Sequence, residues 1–184
     1  DYPFNSYKSW TPDENGNFSA DSMKYDKKLC NDQKRNKIIA DLIFKARKPG
    51  KRRILIFSRL RKHLTNLKSL LETMIDSDTD YPETSVSLMV GGQKKKDRDI
   101  ATSSDIIFTT FSYARDALNI TTLDTMFFAT PPGDPLQPAG RLRDKGDANR
   151  ESLMLVDFHE SNNYSIRKWN KRKSFYKSKS YVIK

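Results

Sequence analysis

The segment Gln137-Pro138-Ala139-Gly140-Arg141-Leu142-Arg143 holds the most chemically suggestive spacing in the chain. Arg141 and Arg143 carry guanidinium forks that stay charged at any physiological pH and match the oxygens of a phosphate. Gly140, without a Cβ, allows a close backbone approach. Gln137 adds an amide that can orient a guanidinium or a water. The chemistry suggested is stabilisation of charge on a phosphoryl group. The complementary device, a phosphate-cradling G-x-x-x-x-G-K-[ST] loop, is absent from the sequence. Lys48-Pro49-Gly50-Lys51 lacks both its first glycine and its hydroxyl.

These residues need a scaffold, and the apolar pattern supplies one. Short apolar runs at Arg53–Ser58, Val86–Val90, Asp105–Thr109, Asp124–Ala129 and Leu153–Val156 read as strands buried on both faces. Between most of them lie helical patterns. Asn31 or Asp32 can cap a helix carrying Ile38, Ile39, Leu42, Ile43 and Ala46, which Pro49-Gly50 stops. Leu60, Leu64, Leu67, Leu70, Leu71 and Met74 lie at helical spacing after the first strand. Alternating strands and helices of this kind predict an α/β fold, a parallel sheet of about five or six strands with helices on both faces. Ligands of such sheets collect beyond the carboxyl ends of the strands. There the sequence places Ser58-Arg59, Gly91-Gly92, Thr110 and the turn before Gln137.

Charge is uneven. The formal net charge is +11, and residues 161–184 hold eight basic residues and no acidic one, whereas residues 1–25 hold four acids and two bases. Trp169, Phe175, Tyr176 and Tyr181 are interleaved with the basic tail, the composition of a segment that contacts nucleic acid through Lys171, Arg172 and their neighbours. A solvated basic tail has similar charge but gives the rings no task. One cysteine, Cys30, and two histidines make a zinc site improbable on composition. No run reaches the ~18 apolar residues of a membrane helix. The chain starts with Asp1, without a signal-like segment, and reads as a piece of something longer. Residues 1–28 show no sustained period and read as an irregular arm or linker, 29–160 as the α/β lobe, and 161–184 as a basic aromatic extension packing on or flanking it.

Taken in order, the elements resemble the second RecA-like domain of a superfamily-2 helicase. They are Ile54–Ser58 with its Leu-rich helix, Val90-Gly91-Gly92, Asp105–Thr110 running into Asp116-Ala117-Leu118-Asn119-Ile120, Leu123–Pro131, and Gln137 to Arg143. Arg35-Asn36-Lys37-Ile38-Ile39 and the tail Trp169–Tyr176 resemble most the helicases of large cytoplasmic DNA viruses, of the poxvirus transcript-release type, with phage and repair translocases further off. The resemblance spans residues 32–184. It implies that ATP with Mg2+ is held mainly by an N-terminal RecA-like lobe outside this chain. Arg141 and Arg143 would reach across to it, with Gln137 placing the fork or the attacking water. Asp116, Ala117, Asn119 and Gly140 would line the nucleotide. Ser58, Arg59, Gly91, Gly92 and Thr110 would track DNA or RNA because they share one side of the sheet, although Ser58 or Thr110 taken alone reads first as a helix cap.

The implied activity is that of the C-terminal half of an ATP-dependent helicase or translocase, inactive by itself. The cytoplasm, a viral factory or the virion is the implied location. Where the family has acid-glycine-x-aspartate, this chain has Asp116-Ala117-Leu118-Asn119, which puts the coupling of ATP to motion in doubt. The alternative is therefore a RecA-like module that has lost catalysis and binds or anneals nucleic acid. Leu153–Glu160 imitates a magnesium-holding acidic strand but stands after the arginine motif, so it reads as the last core strand. His63 reads as a surface or boundary residue.

Overall fold

A computed structural model describes residues 22–50, 52–117, 120, 122–142, 152–160 and 163–183, with the side chains of 22, 23, 115–117, 163 and 164 left aside. Five strands, β1 (Ile54–Ser58), β2 (Val86–Met89), β3 (Ile106–Thr110), β4 (Thr125–Phe128) and β5 (Met154–Asp157), form one sheet. Their order is β2-β3-β1-β4-β5. All four pairings are parallel. The three inner strands are buried almost throughout, and β2 and β5, on the edges, are only partly so. The expectation of burial on both faces thus holds for the inner strands, while β2 and β5, each with one neighbour only, are partly exposed.

Helices cover both faces. On one side α2 (Gln33–Arg47) and α3 (Arg61–Asp76) pack Ile39, Ile43, Leu64, Leu67 and Leu71 against Ile54, Ile56, Ile106, Phe108 and Phe127. On the other, Ala101 of α4 (Lys95–Ser103) and Ala114 of α5 (Phe111–Ala117) join Leu55, Phe57, Ile107, Met126 and Phe128. Asp32 caps α2, its Oδ1 accepting from the Arg35 N–H at 2.8 Å. Ile38 and Leu42, expected on the buried face, are exposed; the stripe of α2 is narrower than its apolar content.

Two further elements pack onto this body. The expected irregular arm holds a helix over its last residues, α1 (Ser22–Asn31), which buries Tyr25, Asp26, Leu29 and Cys30. Their spacing marks one helical face, but two of the four are polar or weakly apolar. Residues 1–21 lie outside the described residues. At the other end, α7 (Asn163–Ser178) follows the sheet, and α6 (Leu136–Ala139) is the short helix after β4. Glu160 ties several of these pieces together. It accepts from the Tyr25 hydroxyl at 3.0 Å, from Arg35 Nε at 2.9 Å and from the Ser165 hydroxyl at 3.0 Å.

Candidate phosphate-facing cleft

The register sets the carboxyl ends of the strands level. Ser58 pairs with Thr110, Phe57 with Phe128, Met89 with Thr109, and Phe128 with Asp157. Beyond this edge opens a cleft of about 320 Å³, lined by Phe57, Arg59, Phe111, Gly133, Gln137 and Arg141 among others. Its floor is aromatic: Phe57 stacks on Phe111 with ring centroids 5.0 Å apart, and Phe111 meets Phe128 at 5.8 Å. Its polar lining consists of two guanidinium groups (Arg59, Arg141), the Gln137 amide, the Ser112 hydroxyl and one carboxylate, Asp134.

Each rim group has a local cause. After β4 the chain turns through Pro131-Pro132-Gly133, and Asp134 Oδ1 accepts from the Leu136 N–H at 2.9 Å, which starts α6. Gln137 stands in that helix and is exposed. The helix closes sharply at Gly140, whose amide donates to the Leu136 carbonyl at 3.0 Å. A Cβ there would lie 3.1 Å from that same carbonyl oxygen, so the close approach that glycine permits serves the chain's own turn. Arg141 follows, half-buried, its guanidinium donating to the Ala114 carbonyl of α5. Burial pulls its pKa down, yet a guanidinium retains its proton under these conditions. Arg143 and Asn119 lie outside the described residues. Asp116 and Ala117 fall in the last turn of α5, with nothing described of their side chains.

Arg59 follows directly on β1. Its N–H donates to the Thr130 hydroxyl at 3.0 Å, and its Nη1 meets Asp26 Oδ2 of α1 at 3.2 Å. Burial pushes the Asp26 carboxyl above the usual carboxylate range, and Arg59 and Lys168 pull it back.

Ser58 occupies a different environment from the one expected of a strand-contacting residue. It is fully buried, its hydroxyl 2.9 Å from His63 Nδ1 and 3.3 Å from the Leu60 N–H that it accepts. His63 Nε2 stands 2.8 Å from Asn36 Oδ1, and Asn36 Nδ2 donates to the Cys30 carbonyl at 2.9 Å. Asn36, whose amide nitrogen is committed to Cys30, leaves Oδ1 to accept from His63 Nε2. Burial together with the nearby Arg35 holds the ring's pKa down at about 3, which keeps it neutral near pH 7. His63, expected at the surface, is 1% exposed. Cys30, next to Ser58, has its thiol pushed up to about 12 by burial. This group of side chains fixes the end of β1 against α1, α2 and α3, and no substrate can reach it.

Thr110 is half-buried, and its hydroxyl accepts from the Tyr113 N–H at 3.3 Å, capping α5. Gly91 and Gly92 form an exposed turn with nothing within 4 Å of the position of either missing Cβ. Gly92 has φ +86°, a conformation that side chains disfavour. The Arg61 guanidinium donates to the Gly91 carbonyl. In the tail, Lys171 is exposed, but Arg172 is not available to a ligand. It is 2% exposed and pairs with Asp157. Tyr176 is buried with it, its hydroxyl donating to Asp157 Oδ2 at 2.7 Å. Trp169 stacks on His159 with centroids 4.8 Å apart. Trp169, Phe175 and Tyr181 also each contact the Tyr176 ring at this end of the chain. Asp157, the acid that imitates a magnesium ligand, is consumed by Arg172 and Tyr176. Among the described residues no three His, Cys, Asp or Glu side chains converge as metal ligands would.

The sequence matches no protein-family model and no curated protein. Solved structures do match. The C-terminal domain of the DEAD-box protein Dbp5 aligns at 17% identity over 79% of this chain and 80% of that chain, with a TM-score of 0.59. T4 UvsW aligns at 17% identity over 88% of this chain, with a TM-score of 0.66. The C-terminal part of the Fun30 ATPase domain aligns at 16% identity over 85%, with a TM-score of 0.55. This chain spans only 36% of the UvsW chain and 58% of the Fun30 chain. At such identities the likeness establishes the fold, the RecA-like α/β fold of these C-terminal domains.

Proposed function

We propose that the chain is the second RecA-like lobe of an ATP-driven nucleic-acid helicase or translocase. The observation that carries this reading is the convergence of Gln137 and Arg141 on one cleft at the carboxyl edge of a parallel sheet. A cationic rim over an apolar floor suits a phosphate group better than a neutral ligand. The donor set fits the outer phosphates of ATP, which an N-terminal lobe would hold together with Mg2+. ATP hydrolysis would supply the free energy for movement along the strand.

In that reading Arg141, with Arg143 beside it in sequence, lends positive charge to the terminal phosphate, and Gln137 orients the fork or a water. Such guanidinium groups contribute about 10³ to 10⁵ in rate in related phosphoryl-transfer enzymes. Arg141 is half-buried, and partial burial strengthens its field. DNA or RNA would run along the same edge, past the exposed Gly91-Gly92 turn and Thr110, with Lys171 contributing from α7. Within the superfamily we place the chain beside the helicases of large cytoplasmic DNA viruses, on the strength of Arg35–Ile39 and the tail; that would put it in the cytoplasm, the viral factory or the virion. No described helix is long and apolar enough to cross a membrane.

The test is the protein with its preceding lobe in place. Replacing Arg141 or Arg143 with alanine should lower ATP turnover at least about a thousandfold while binding of a single strand is retained. Unchanged turnover in both variants would discard the assignment.

A further inference from the structure

We infer that Arg59 is a second guanidinium for the anion received by the cleft, and that Asp26 of α1 competes with that anion for it. The inference rests on the reading of the cleft as a phosphate site, and it adds a residue and a control that the arginine motif does not contain.

Arg59 lines the cleft together with Gln137 and Arg141. Its backbone cannot drift, since its N–H is bound to Thr130 and the preceding Ser58 is locked against His63. The side chain is less constrained. It is 31% exposed, and its Nη2 lies over Gly133, 3.7 Å from where a Cβ would stand. Gly133 is itself part of the cleft wall. Among the described residues its ion-pair partner is Asp26, through Nη1 at 3.2 Å. That distance is longer than the ~2.7–2.9 Å of a well-formed charge-assisted bond. A phosphate between Arg59 and Arg141 would offer several oxygens where Asp26 offers one contact. Asp134 also lines the cleft, its Oδ1 accepting from the Leu136 N–H, and the two guanidinium groups outnumber its single charge.

The consequence is a coupling between α1 and the cleft. Asp26 lies in the segment that leads into the lobe, so movement of α1 away from Arg59 raises the positive charge available to an anion. An anion drawing Arg59 away from Asp26 loosens one attachment of α1. Asp26 is thus a positioning residue, acting on the ligand through Arg59.

Titration calorimetry of this chain with inorganic pyrophosphate at low salt tests both parts. Arg59→Ala and Arg141→Ala should each weaken binding at least about tenfold, and Arg59→Lys, which keeps the charge, should retain part of the affinity. Asp26→Asn, isosteric and so sparing of the fold, should tighten binding about two- to fivefold, the worth of a partly exposed ion pair. In the Arg59→Ala background Asp26→Asn should change nothing. If Arg59→Ala binds as the parent does while Arg141→Ala weakens, the inference fails and the cleft reading stands. If Asp26→Asn tightens binding equally without Arg59, the competition is overturned. If Arg141→Ala has no effect while Arg59→Ala does, the arginine-motif reading fails and the Arg59 site survives. If the parent chain binds no pyrophosphate, the inference is overturned, and the ATP-turnover test decides the reading separately.

Discussion

Arg172 Nε of α7 donates to Asp157 Oδ2 of β5 at 2.6 Å, with both side chains 3% exposed. The Arg172 Nη2 reaches the other carboxylate oxygen at 3.1 Å, and the Tyr176 hydroxyl joins at 2.7 Å. A basic residue read from the sequence as a nucleic-acid contact is therefore a dowel between the last strand and the last helix.

Breaking this pair should destabilise the lobe. Arg172→Ala leaves the Asp157 carboxylate buried and unpaired, a loss of about 3–5 kcal/mol, or on the order of 10 °C in Tm. Denaturant unfolding measures it. A variant that unfolds like the parent but binds DNA more weakly would return Arg172 to the nucleic-acid surface.

Lys171, one position earlier, should behave in the opposite way. It is exposed, so Lys171→Ala should leave stability within about 0.5 kcal/mol. Binding to a single strand should weaken, and the slope of log K against log salt should fall by about 0.7, one phosphate contact. A salt slope identical to that of the parent would remove Lys171 from the interface.

The buried His63 predicts an acid limb. Its folded pKa lies near 3, below the ~6.5 of an unfolded histidine. Below pH ~6.5 the unfolded state takes up a proton that the folded state refuses, so stability is fully present above that pH and falls as pH drops toward 3. The slope is about 1.4 kcal/mol per pH unit for one proton. The charged group facing it is Arg35 of α2, which opposes protonation, and Cys30 of α1 is a neutral neighbour across Ser58. Unfolding free energies at pH 7, 6 and 5 for the parent and for His63→Gln should show this slope in the parent and its loss in the variant. Parallel curves would exclude His63 as the source.

The two glycines after β2 should separate a backbone requirement from a ligand requirement. Gly92→Ala forces a Cβ into a positive-φ position and should cost roughly 1–2 kcal/mol. Gly91→Ala meets nothing within 4 Å and should leave stability unchanged. If the turn touches a nucleic-acid backbone, Gly91→Ala should nevertheless weaken strand binding; equal binding would place the track elsewhere.

Much of the fold was legible because parallel strands announce themselves. The runs Arg53–Ser58, Val86–Val90, Asp105–Thr109, Asp124–Ala129 and Leu153–Val156 differ from β1 to β5 by a residue or so at each end. The cap of α2 was narrowed to Asn31 or Asp32 by side-chain chemistry, and the structure chose Asp32. The α1 helix was not read from the sequence, since its apolar face is short, Tyr25, Leu29 and Cys30 alone, and follows a long polar stretch. Of the cleft, the segment from Gln137 to Arg141 stood out by residue type, and the placement of Arg59 opposite Asp26 had no local signal.

Residue type and spacing alone determined what is local: apolar runs that pair into a sheet, a cap at Asn31 or Asp32, and guanidinium groups that keep their charge anywhere. Tertiary structure decided which charges face solvent. Arg172 and Lys171 are adjacent cations of similar length, yet one meets Asp157 in the interior and the other faces water. That difference arises because neighbouring positions of a helix point about 100° apart, and the Arg172 side of α7 lies against β5. Tyr25 and Glu160, 135 positions apart, likewise meet only because the sheet brings its last strand beside the α1–α2 corner. Burial and pairing are properties of contacts between distant segments, and no one-dimensional pattern of charge contains them.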